Sequence, residues 1–342
     1  MTGERKMAEE IYRNIWRIGV ELPGNPLREL NSYLLKGKDS WLLIDTGFRK
    51  DACRNALRKG LEEVGADTEK TDVLLTHLHS DHSGLSAEFA GKNRKIYLSR
   101  TDLRYLGMNI ANKTVAERNA RFLEEGFPKE LLEENQKTNP AMAERLLALD
   151  DRFTPIDDGQ ELTIGEYTLK TVVVPGHTPG NTMFWMPEQE IMFTGDHILF
   201  DITPNITAWS WVEDSLGDYL ENLLRVRNYP VKLALPGHRK SGDYKERIRV
   251  LLDHHARRLG ETERIILQNP GLCAYEIAGL MTWKIRSATW AEFPLAQKWF
   301  AVGECMSHLN YLVKRGRAER RTADGIRRYY AGSASGAERS RD

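Results

Sequence analysis

The chain has 342 residues, of which 41% are hydrophobic and 29% are charged, so it is long enough for a large domain and a smaller second one. Its 49 Lys and Arg residues balance its 49 Asp and Glu residues, which gives no indication of a polyanionic partner. The three cysteines are far apart, which argues against a disulfide framework and a cysteine-rich zinc module. The N-terminal residues lack the apolar segment of a signal peptide, and no run approaches the length of a membrane span. We therefore expect a cytoplasmic protein.

Short β-like segments alternate with helical ones over the first two thirds of the chain. Residues 31–47 predict a hairpin that turns at Gly37 and Lys38. The β-branched run at 171–174, inside the predicted strand 167–174, is typical of a strand buried on both faces. The other predicted strands cover 15–22, 72–76, 95–99, 182–196 and 231–238.

Two segments between these strands predict helices. Residues 101–150 are rich in Glu, Leu, Ala, Asn and Arg, which indicates a helical insert that could cover a site. Residues 214–226 begin with Asp214 or Ser215 as an N-cap and continue as an amphipathic helix. The leucines on its apolar face are Leu216, Leu220, Leu223 and Leu224.

The pattern changes after about residue 263. The apolar spacing around 302–313 predicts a helix that Gly316 ends, and Asp324-Gly325 is a favoured pair for a type I′ hairpin turn. Helices followed by a two-stranded hairpin suggest a winged helix. The predicted organisation is therefore a first domain over 1–262, a winged-helix domain over 263–331 and a disordered tail over 332–342.

The stretch LLTHLHSDHSG places His77, His79, Asp81 and His82 directly after a short apolar run. In extended backbone, alternate residues point to one side, so the side chains of positions 77, 79 and 81 can converge. Neutral imidazole and carboxylate are ligands that divalent metals such as Zn²⁺ prefer. Four such residues at this spacing favour a metal site over a solvated polar turn.

Three further residues of the same chemical types follow predicted strands. They are His177 in PGHTPG, Asp196 in TGDH and His238 in PGH. Each adjoins a glycine, which lets the backbone turn sharply and present the side chain. The candidate metal site therefore includes these three residues.

The four motifs, in this order, resemble the metallo-β-lactamase-fold hydrolase superfamily over residues of about 11 to 260. The resemblance implies an α/β fold, an αββα sandwich of two mixed sheets with outer helices. It implies that His77, His79 and His177 hold one divalent metal ion and that Asp81, His82 and His238 hold a second. Asp196 would bridge the two ions, and a hydroxide shared by them would be the nucleophile, oriented by Asp81. The C-terminus resembles the winged helix of the subgroup that includes the β-lactamase-like protein 2 and glyoxalase II-like branch.

Four other residues are weaker candidates for a contact with the ligands or the substrate. Asp45 ends a predicted strand where the superfamily often has a supporting aspartate, and plain turn capping is the alternative. His197 follows Asp196, and its side chain points away from the ligands if the backbone stays extended, so a contact with a ligand or with substrate is a weaker alternative to no role in the site. Trp209 and Trp211 could form an apolar wall for substrate or belong to the core.

The leading hypothesis is a hydrolase of a small ester, thioester or lactone that uses two metal ions, Zn²⁺ first and Fe or Mn as alternatives. Because the C-terminus resembles a winged helix, it does not match the helical domain that holds glutathione in glyoxalase II. One alternative is an endoribonuclease that acts on single-stranded RNA, and a solvated tail or a homodimer surface also explains the basic residues of the hairpin region. Another is a DNA-binding regulator that senses a metabolite and reads DNA with residues 302–315, which offer few base-reading side chains. The basic residues are Lys314, Arg315, Arg317, Arg320, Arg321, Arg327 and Arg328.

Overall fold

The computed structural model of the chain describes residues 6–110, 113–139, 149–284 and 289–333. The chain forms two compact units that alternate along the sequence. The first unit consists of Met1–Ala111, Glu144–Pro204 and Val226–Arg247, and the second of Asn112–Ala143, Asn205–Arg225 and Ile248–Asp342. The domain boundary near residue 262 stays a prediction. Part of the predicted insert, 140–148, and the predicted tail beyond 333 lie outside the described residues.

The first unit contains a seven-stranded mixed sheet in which the strands follow chain order. Its first three pairings are antiparallel and its last three are parallel. The strands are β1 (Ala8–Tyr12), β2 (Ile15–Glu21), β3 (Glu29–Lys36), β4 (Trp41–Ile44), β5 (Thr71–Leu74), β6 (Ile96–Ser99) and β7 (Phe153–Ile156).

The second sheet of the same unit has five strands in the order β12-β11-β10-β9-β8. Only β11 and β12 pair in parallel, so this sheet is also mixed. The strands are β8 (Glu161–Ile164), β9 (Tyr167–Val173), β10 (Thr182–Met186), β11 (Ile191–Gly195) and β12 (Leu233–Pro236).

The two sheets share one hydrophobic core. Tyr33 and Leu35 of β3 belong to the same buried cluster as Phe184 of β10 and Phe193 of β11. The rings of Tyr33 and Phe193 meet edge to face with their centroids 5.3 Å apart, a favourable aromatic geometry. Face-to-face mixed sheets confirm the predicted sandwich.

Helices of the first unit pack outside the sheets. The helix α1 (Asp51–Val64) lies so close to β2 that a Cβ atom at Gly60 would come within 2.4 Å of Ile18 Cγ2. The other helices that begin in this unit are α2 (Ser80–Ser83), α3 (Ser86–Phe89), α4 (Arg100–Ile110) and α8 (Tyr244–Gln268), which continues into the second unit.

The second unit is helical, with one β-hairpin. The hairpin strands β13 (Ala318–Ala323) and β14 (Ile326–Ala331) flank Asp324 and Gly325, which both have positive φ, so the predicted type I′ turn is confirmed. The winged-helix interpretation stays a prediction. The helices that lie largely in this unit are α5 (Lys113–Glu124), α6 (Lys129–Thr138), α7 (Ser215–Val226), α9 (Ala274–Leu280) and α10 (Leu295–Lys314). Across the described ranges, no helix combines the length and apolarity that crossing a bilayer requires.

Two buried histidines face each other within the second unit. His255 Nδ1 lies 3.4 Å from His308 Nε2, and His308 Nδ1 donates a hydrogen bond to the Glu304 carbonyl at 2.8 Å. Burial, together with neighbouring His254 and Arg258, lowers the pKa of His255 well below its usual range. Burial also lowers the pKa of His308 to about 3. Both rings are therefore neutral in the folded protein near pH 7.

Acidification is expected to destabilise the protein through these rings. Histidine in an unfolded chain has a pKa near 6.5, so below about pH 6.5 the unfolded state binds more protons, and stability present above that pH is lost. Replacing His308→Gln removes one such group. The slope of the free energy of unfolding between pH 6.5 and 4, measured by urea titration, should flatten by up to about 1.4 kcal/mol per pH unit. The control is the half-buried His254→Gln, and an unchanged slope in His308→Gln would contradict the expectation.

Candidate metal centre

Seven predicted ligands come together in the first unit, close to the carboxyl ends of its strands. The parallel strands β4 and β5 end at one edge of the first sheet, and β11 and β12 end at one edge of the second. The side chains form three overlapping groups whose ligand atoms lie within 4.8 Å of one another. The residues are His77, His79, Asp81, His82, His177, Asp196 and His238.

The histidine-rich stretch changes conformation halfway along. The backbone is extended at His79, as predicted, but a helical turn begins at Ser80 and includes Asp81 and His82. The prediction that extended backbone aligns Asp81 with His77 and His79 is therefore wrong. The helical turn instead brings Asp81 and His82 into one group with His238.

Glycines permit the close approach of the loops that carry the other ligands. Gly195, before Asp196, has a φ of 48°, and a Cβ atom there would lie 2.8 Å from Thr76 Cβ. A Cβ atom at Gly237, before His238, would lie 2.6 Å from Asp196 Oδ1. A larger residue at either position would displace a ligand-bearing segment.

The first potential ligand group consists of His77, His79 and His177. His77 Nε2 lies 3.0 Å from His79 Nδ1, and His177 Nε2 lies 3.1 Å from the same atom. Three imidazole nitrogens around a tetrahedral Zn²⁺ with bonds of about 2.1 Å would be separated by about 3.4 Å. The observed convergence is therefore close to that of a bound ion.

The second group consists of Asp81, His82 and His238. His82 Nε2 lies 3.2 Å from His238 Nε2, and Asp81 Oδ2 lies 3.4 Å from His238 Nε2 and 3.9 Å from His82 Nε2. Two imidazoles and a carboxylate are again a donor set suited to a divalent ion.

Asp196 lies between the two groups. Its Oδ2 is 3.8 Å from His177 Nε2 in the first group and 3.6 Å from His238 Nε2 in the second. Its Oδ1 is buried, lies 3.6 Å from His82 Nε2 and has no hydrogen-bond partner among the described residues. A buried carboxylate oxygen without a partner fits a bound cation, and the position fits a bridging ligand.

Asp45 orients the imidazole rings of His82 and His77 through hydrogen bonds on their Nδ1 side. Its carboxylate accepts hydrogen bonds from His82 Nδ1 at 2.7 Å and from the Thr76 hydroxyl at 2.8 Å, and Thr76 Oγ1 in turn lies 3.0 Å from His77 Nδ1. A proton held on Nδ1 of each ring fixes the ring so that Nε2 faces the other ligands. The predicted supporting aspartate thus contacts a predicted ligand directly.

The two groups differ in their electrostatics. Burial, together with neighbouring His177, lowers the pKa of His79 to about 3, and burial likewise lowers the pKa of His77 well below its usual range. Burial also opposes the charge on His82, but Asp45, Asp196 and Asp81 together raise the pKa of His82 well above its usual range. The first group therefore offers neutral imidazoles, whereas the three carboxylates around His82 stabilise positive charge on that ring.

Asp102 joins the loop of His77 and His79 to the loop of His177, and no sequence pattern predicts this role. Its buried carboxylate accepts hydrogen bonds from Leu78 N at 2.9 Å, Thr178 Oγ1 at 2.7 Å and Gly180 N at 2.6 Å. Burial nevertheless raises the pKa of Asp102 to about 7. No sequence motif surrounds Asp102. The only indication in the sequence is the TPG turn after His177, because the N–H groups of such a turn need a hydrogen-bond acceptor.

Asn31 holds the loop of His238 in a similar way. Its side-chain amide donates to the carbonyls of Pro236 at 2.9 Å and Arg239 at 2.8 Å. His238 Nδ1 donates to the Glu29 carbonyl at 2.9 Å, which directs Nε2 of this ring into the ligand group. The start of β3 therefore positions His238.

The remaining predicted site residues lie elsewhere. His197 is fully buried and belongs to none of the three potential ligand groups found within the described residues. The carbonyl of Trp209 accepts a hydrogen bond from Arg121 within the second unit. Trp211 is 53% exposed and lines a cavity of the same unit.

The family profile described as "Metallo-beta-lactamase superfamily" matches residues 26–238, which is more than half of the chain and includes all seven predicted ligands. A second profile, "Metallo-beta-lactamase-like, C-terminal domain", matches residues 291–332. The chain belongs to the metallo-β-lactamase superfamily and is a hydrolase of that superfamily.

Individual relatives agree with this assignment. A "Beta-lactamase-like protein 2 homolog" of Caenorhabditis elegans is 23% identical over 98% of the chain and 95% of its own length. An "Atrochrysone carboxyl ACP thioesterase" of Aspergillus novofumigatus is 26% identical over 67% of the chain, and the match spans 55% of that longer protein. The crystal structure of a metallo-β-lactamase family protein from Thermus thermophilus superposes with a TM-score of 0.78 at 27% identity, covering 94% of the chain and 99% of that protein.

The carboxylate of Asp102 is expected to be important for stability. Asp102→Ala leaves the buried N–H groups of Leu78 and Gly180 without their acceptor, at a cost of about 1–3 kcal/mol for each group. Thermal unfolding should therefore show a markedly lower Tm for Asp102→Ala than for the exposed control Asp201→Ala. Equal melting temperatures of the two variants would contradict this role.

Proposed function

We propose that the chain is a dinuclear-metal-dependent hydrolase of small esters, thioesters or lactones. The observation that carries the proposal is the pair of ligand groups joined by Asp196, which offers seven ligand side chains in a buried cluster. Two divalent ions held there would supply an ionised water near neutral pH and a Lewis acid for the scissile carbonyl. We propose Zn²⁺ as the ion, because the donor set is imidazole and carboxylate.

Asp81 is suited to orient the attacking water. Its side chain is 13% exposed, whereas His82 and His238 of the same group are fully buried, so Asp81 lies on the open side of the cluster. Although burial acts in the opposite direction, His82 and His238 hold the pKa of Asp81 well below its usual range. The carboxylate is therefore ionised and can accept a hydrogen bond from the water at Oδ1 or Oδ2.

The acyl substrate class is supported by the relatives and by the chemistry of the site. One relative is named as a thioesterase, and a thioester presents the carbonyl that such a centre polarises. Asn31, Asp45 and Asp102 hold the ligand-bearing segments in fixed positions, which favours a preorganised site.

The basic residues of the hairpin region do not favour an RNA-binding surface. Arg315 pairs with Asp214, Arg317 with Glu263, Arg321 with Glu319, Arg327 with Glu124 and Glu125, Arg328 with Glu276 and Lys314 with Glu213. Of the seven residues, Arg320 alone lacks a carboxylate within 4.0 Å among the described residues, and it hydrogen-bonds Asn310. Most of the positive charge is already neutralised within the unit, which weakens the nuclease hypothesis.

The DNA-binding hypothesis has less support still. The predicted recognition segment lies in α10, where residues on most sides are buried, among them Val302, Met306, His308, Leu309 and Leu312. A helix that reads the major groove needs an exposed face with base-reading side chains. Cytoplasmic localisation and a homodimer remain proposals.

Measuring the metal content of single variants distinguishes the two ligand groups. The purified protein, supplemented with Zn²⁺, should hold close to two ions per chain by elemental analysis. His177→Ala should remove an ion from the first group and His238→Ala from the second, whereas Asp196→Ala should weaken both. The control His254→Gln should keep both ions. A wild-type protein that binds no ion after supplementation would refute the proposal.

The substrate class is tested with variants of two arginines of the β-hairpin. We expect metal-dependent turnover of an aryl thioester or a lactone that falls by several orders of magnitude in His79→Ala. The double variant Arg321→Ala/Arg328→Ala should keep turnover within a few fold of wild type, because these residues lie outside the ligand groups. Cleavage of single-stranded RNA that requires His79 and weakens in the double variant would support the nuclease instead.

A further inference from the structure

A cavity of about 420 Å³ lies within the second unit, and every residue that lines it belongs to that unit. Its walls come from α5, from the loop 210–213, from α10 and from the β-hairpin. The volume is within the range of about 300–1,000 Å³ typical of small-molecule sites. The cavity therefore shares no lining residue with the candidate metal centre.

Two arginines of this cavity form no ion pair within 4.0 Å among the described residues, although the buried Glu125 attracts both of them over a longer distance. Arg327 forms ion pairs with Glu124 and Glu125, but neither Arg121 nor Arg320 has a carboxylate within 4.0 Å among the described residues. Lys314 pairs with Glu213. Four cationic groups and four carboxylates, counting the buried Glu125, balance at this cavity. Arg121 and Arg320 are the two cations without an ion pair among the described residues, so their guanidinium groups are the places where an anion would bind.

Arg121 has unused donor capacity in addition to its charge. One of its terminal nitrogens donates to the Trp209 carbonyl at 3.0 Å, while its Nε is buried and has no hydrogen-bond partner in the described part of the chain. A planar guanidinium with free N–H groups matches the geometry of phosphate oxygens.

Trp211 stands beside these arginines in a backbone conformation that bulky residues rarely adopt. Its φ is 60°, and the Val212 N–H to Trp209 carbonyl hydrogen bond of 3.3 Å makes it the third residue of a tight turn. Positive φ at that position favours Gly or Asn. The turn nevertheless keeps a large indole 53% exposed at the cavity, and strain of this kind clusters at ligand sites.

We propose that this cavity binds a nucleoside phosphate, with the base against Trp211 and the phosphate held by Arg121 and Arg320. An aromatic face and two guanidinium groups match the two chemical parts of such a ligand. The cavity has room for one nucleotide, and the ion-paired arginines around it leave no basic track for a longer strand. The source is either a free nucleotide or the nucleotide part of a coenzyme thioester.

Calorimetric titration of the metal-loaded full-length protein tests this proposal. ADP, coenzyme A, adenosine and inorganic phosphate are the probes, and we expect ADP or coenzyme A to bind at least tenfold more tightly than adenosine or phosphate. Tighter binding of coenzyme A than of ADP assigns the nucleotide part of a thioester substrate, and the reverse order assigns a free nucleotide. Either order supports the proposal.

Variants locate the bound nucleotide. Arg320→Ala and Trp211→Ala should each weaken binding at least tenfold, and Arg121→Lys should weaken it while preserving the charge that holds the loop. The matched control is Arg321→Ala, the next residue of β13, which pairs with Glu319 and does not line the cavity. The readout is binding and needs no turnover, so its outcome is independent of the hydrolase proposal.

Three results would overturn the assignment. Nucleotide binding that survives both Arg320→Ala and Trp211→Ala would place the ligand elsewhere, for instance on the metal ions. Phosphate binding as tight as ADP binding would leave no role for Trp211. Binding of an oligouridylate that depends on Arg320, without binding of any mononucleotide, would indicate a nucleic-acid surface instead.

Discussion

The buried carboxylate of Asp45 is the interaction on which the candidate metal centre depends. It is 1% exposed and accepts hydrogen bonds from the Thr76 backbone, the Thr76 hydroxyl and His82. Through Thr76 it also reaches His77, so one anion sets the orientation of rings in both ligand groups. Burying a carboxylate without hydrogen-bond donors costs free energy where the dielectric constant is low. The arrangement around Asp45 therefore keeps its geometry only if all of its donors are present.

The same principle extends to the loops around the site. Asp102 accepts hydrogen bonds from the backbone N–H groups of Leu78 and Gly180 in the loops of His77 and His177, and Asn31 satisfies carbonyls on both sides of His238. Buried loop backbone needs such partners, because it lacks the ladder of a strand or the repeat of a helix. Around the candidate ligands, side chains of β3 and α4 therefore supply the backbone hydrogen bonds that a strand or helix would otherwise provide.

Sequence patterns identified the seven residues that cluster as candidate ligands and most of the central strands, because local spacing and alternation carry that information. The strands β1, β7 and β8 and the helix α1 were not predicted; β1 and β8 have largely exposed side chains and give little apolar alternation. Asp102 and Asn31 were missed because their partners lie from 24 to 208 positions away in sequence. The sequence also did not predict that the two units alternate along the chain. No local pattern indicates that residues 112–143 and 205–225 belong to the same unit as the C-terminal residues.

That interleaving has a consequence for the synthesis of the protein on the ribosome. The segments of the first unit have all been synthesised once Arg247 has been added, whereas α5, α6 and most of α7 belong to a unit whose remaining residues begin at Ile248. Domains generally fold as units and in order of synthesis. Apolar side chains that end up buried in the second unit, such as Phe122 and Tyr219, must therefore stay without their final partners until the C-terminal helices appear. This delay makes the two early segments the part of the nascent chain most in need of protection by chaperones.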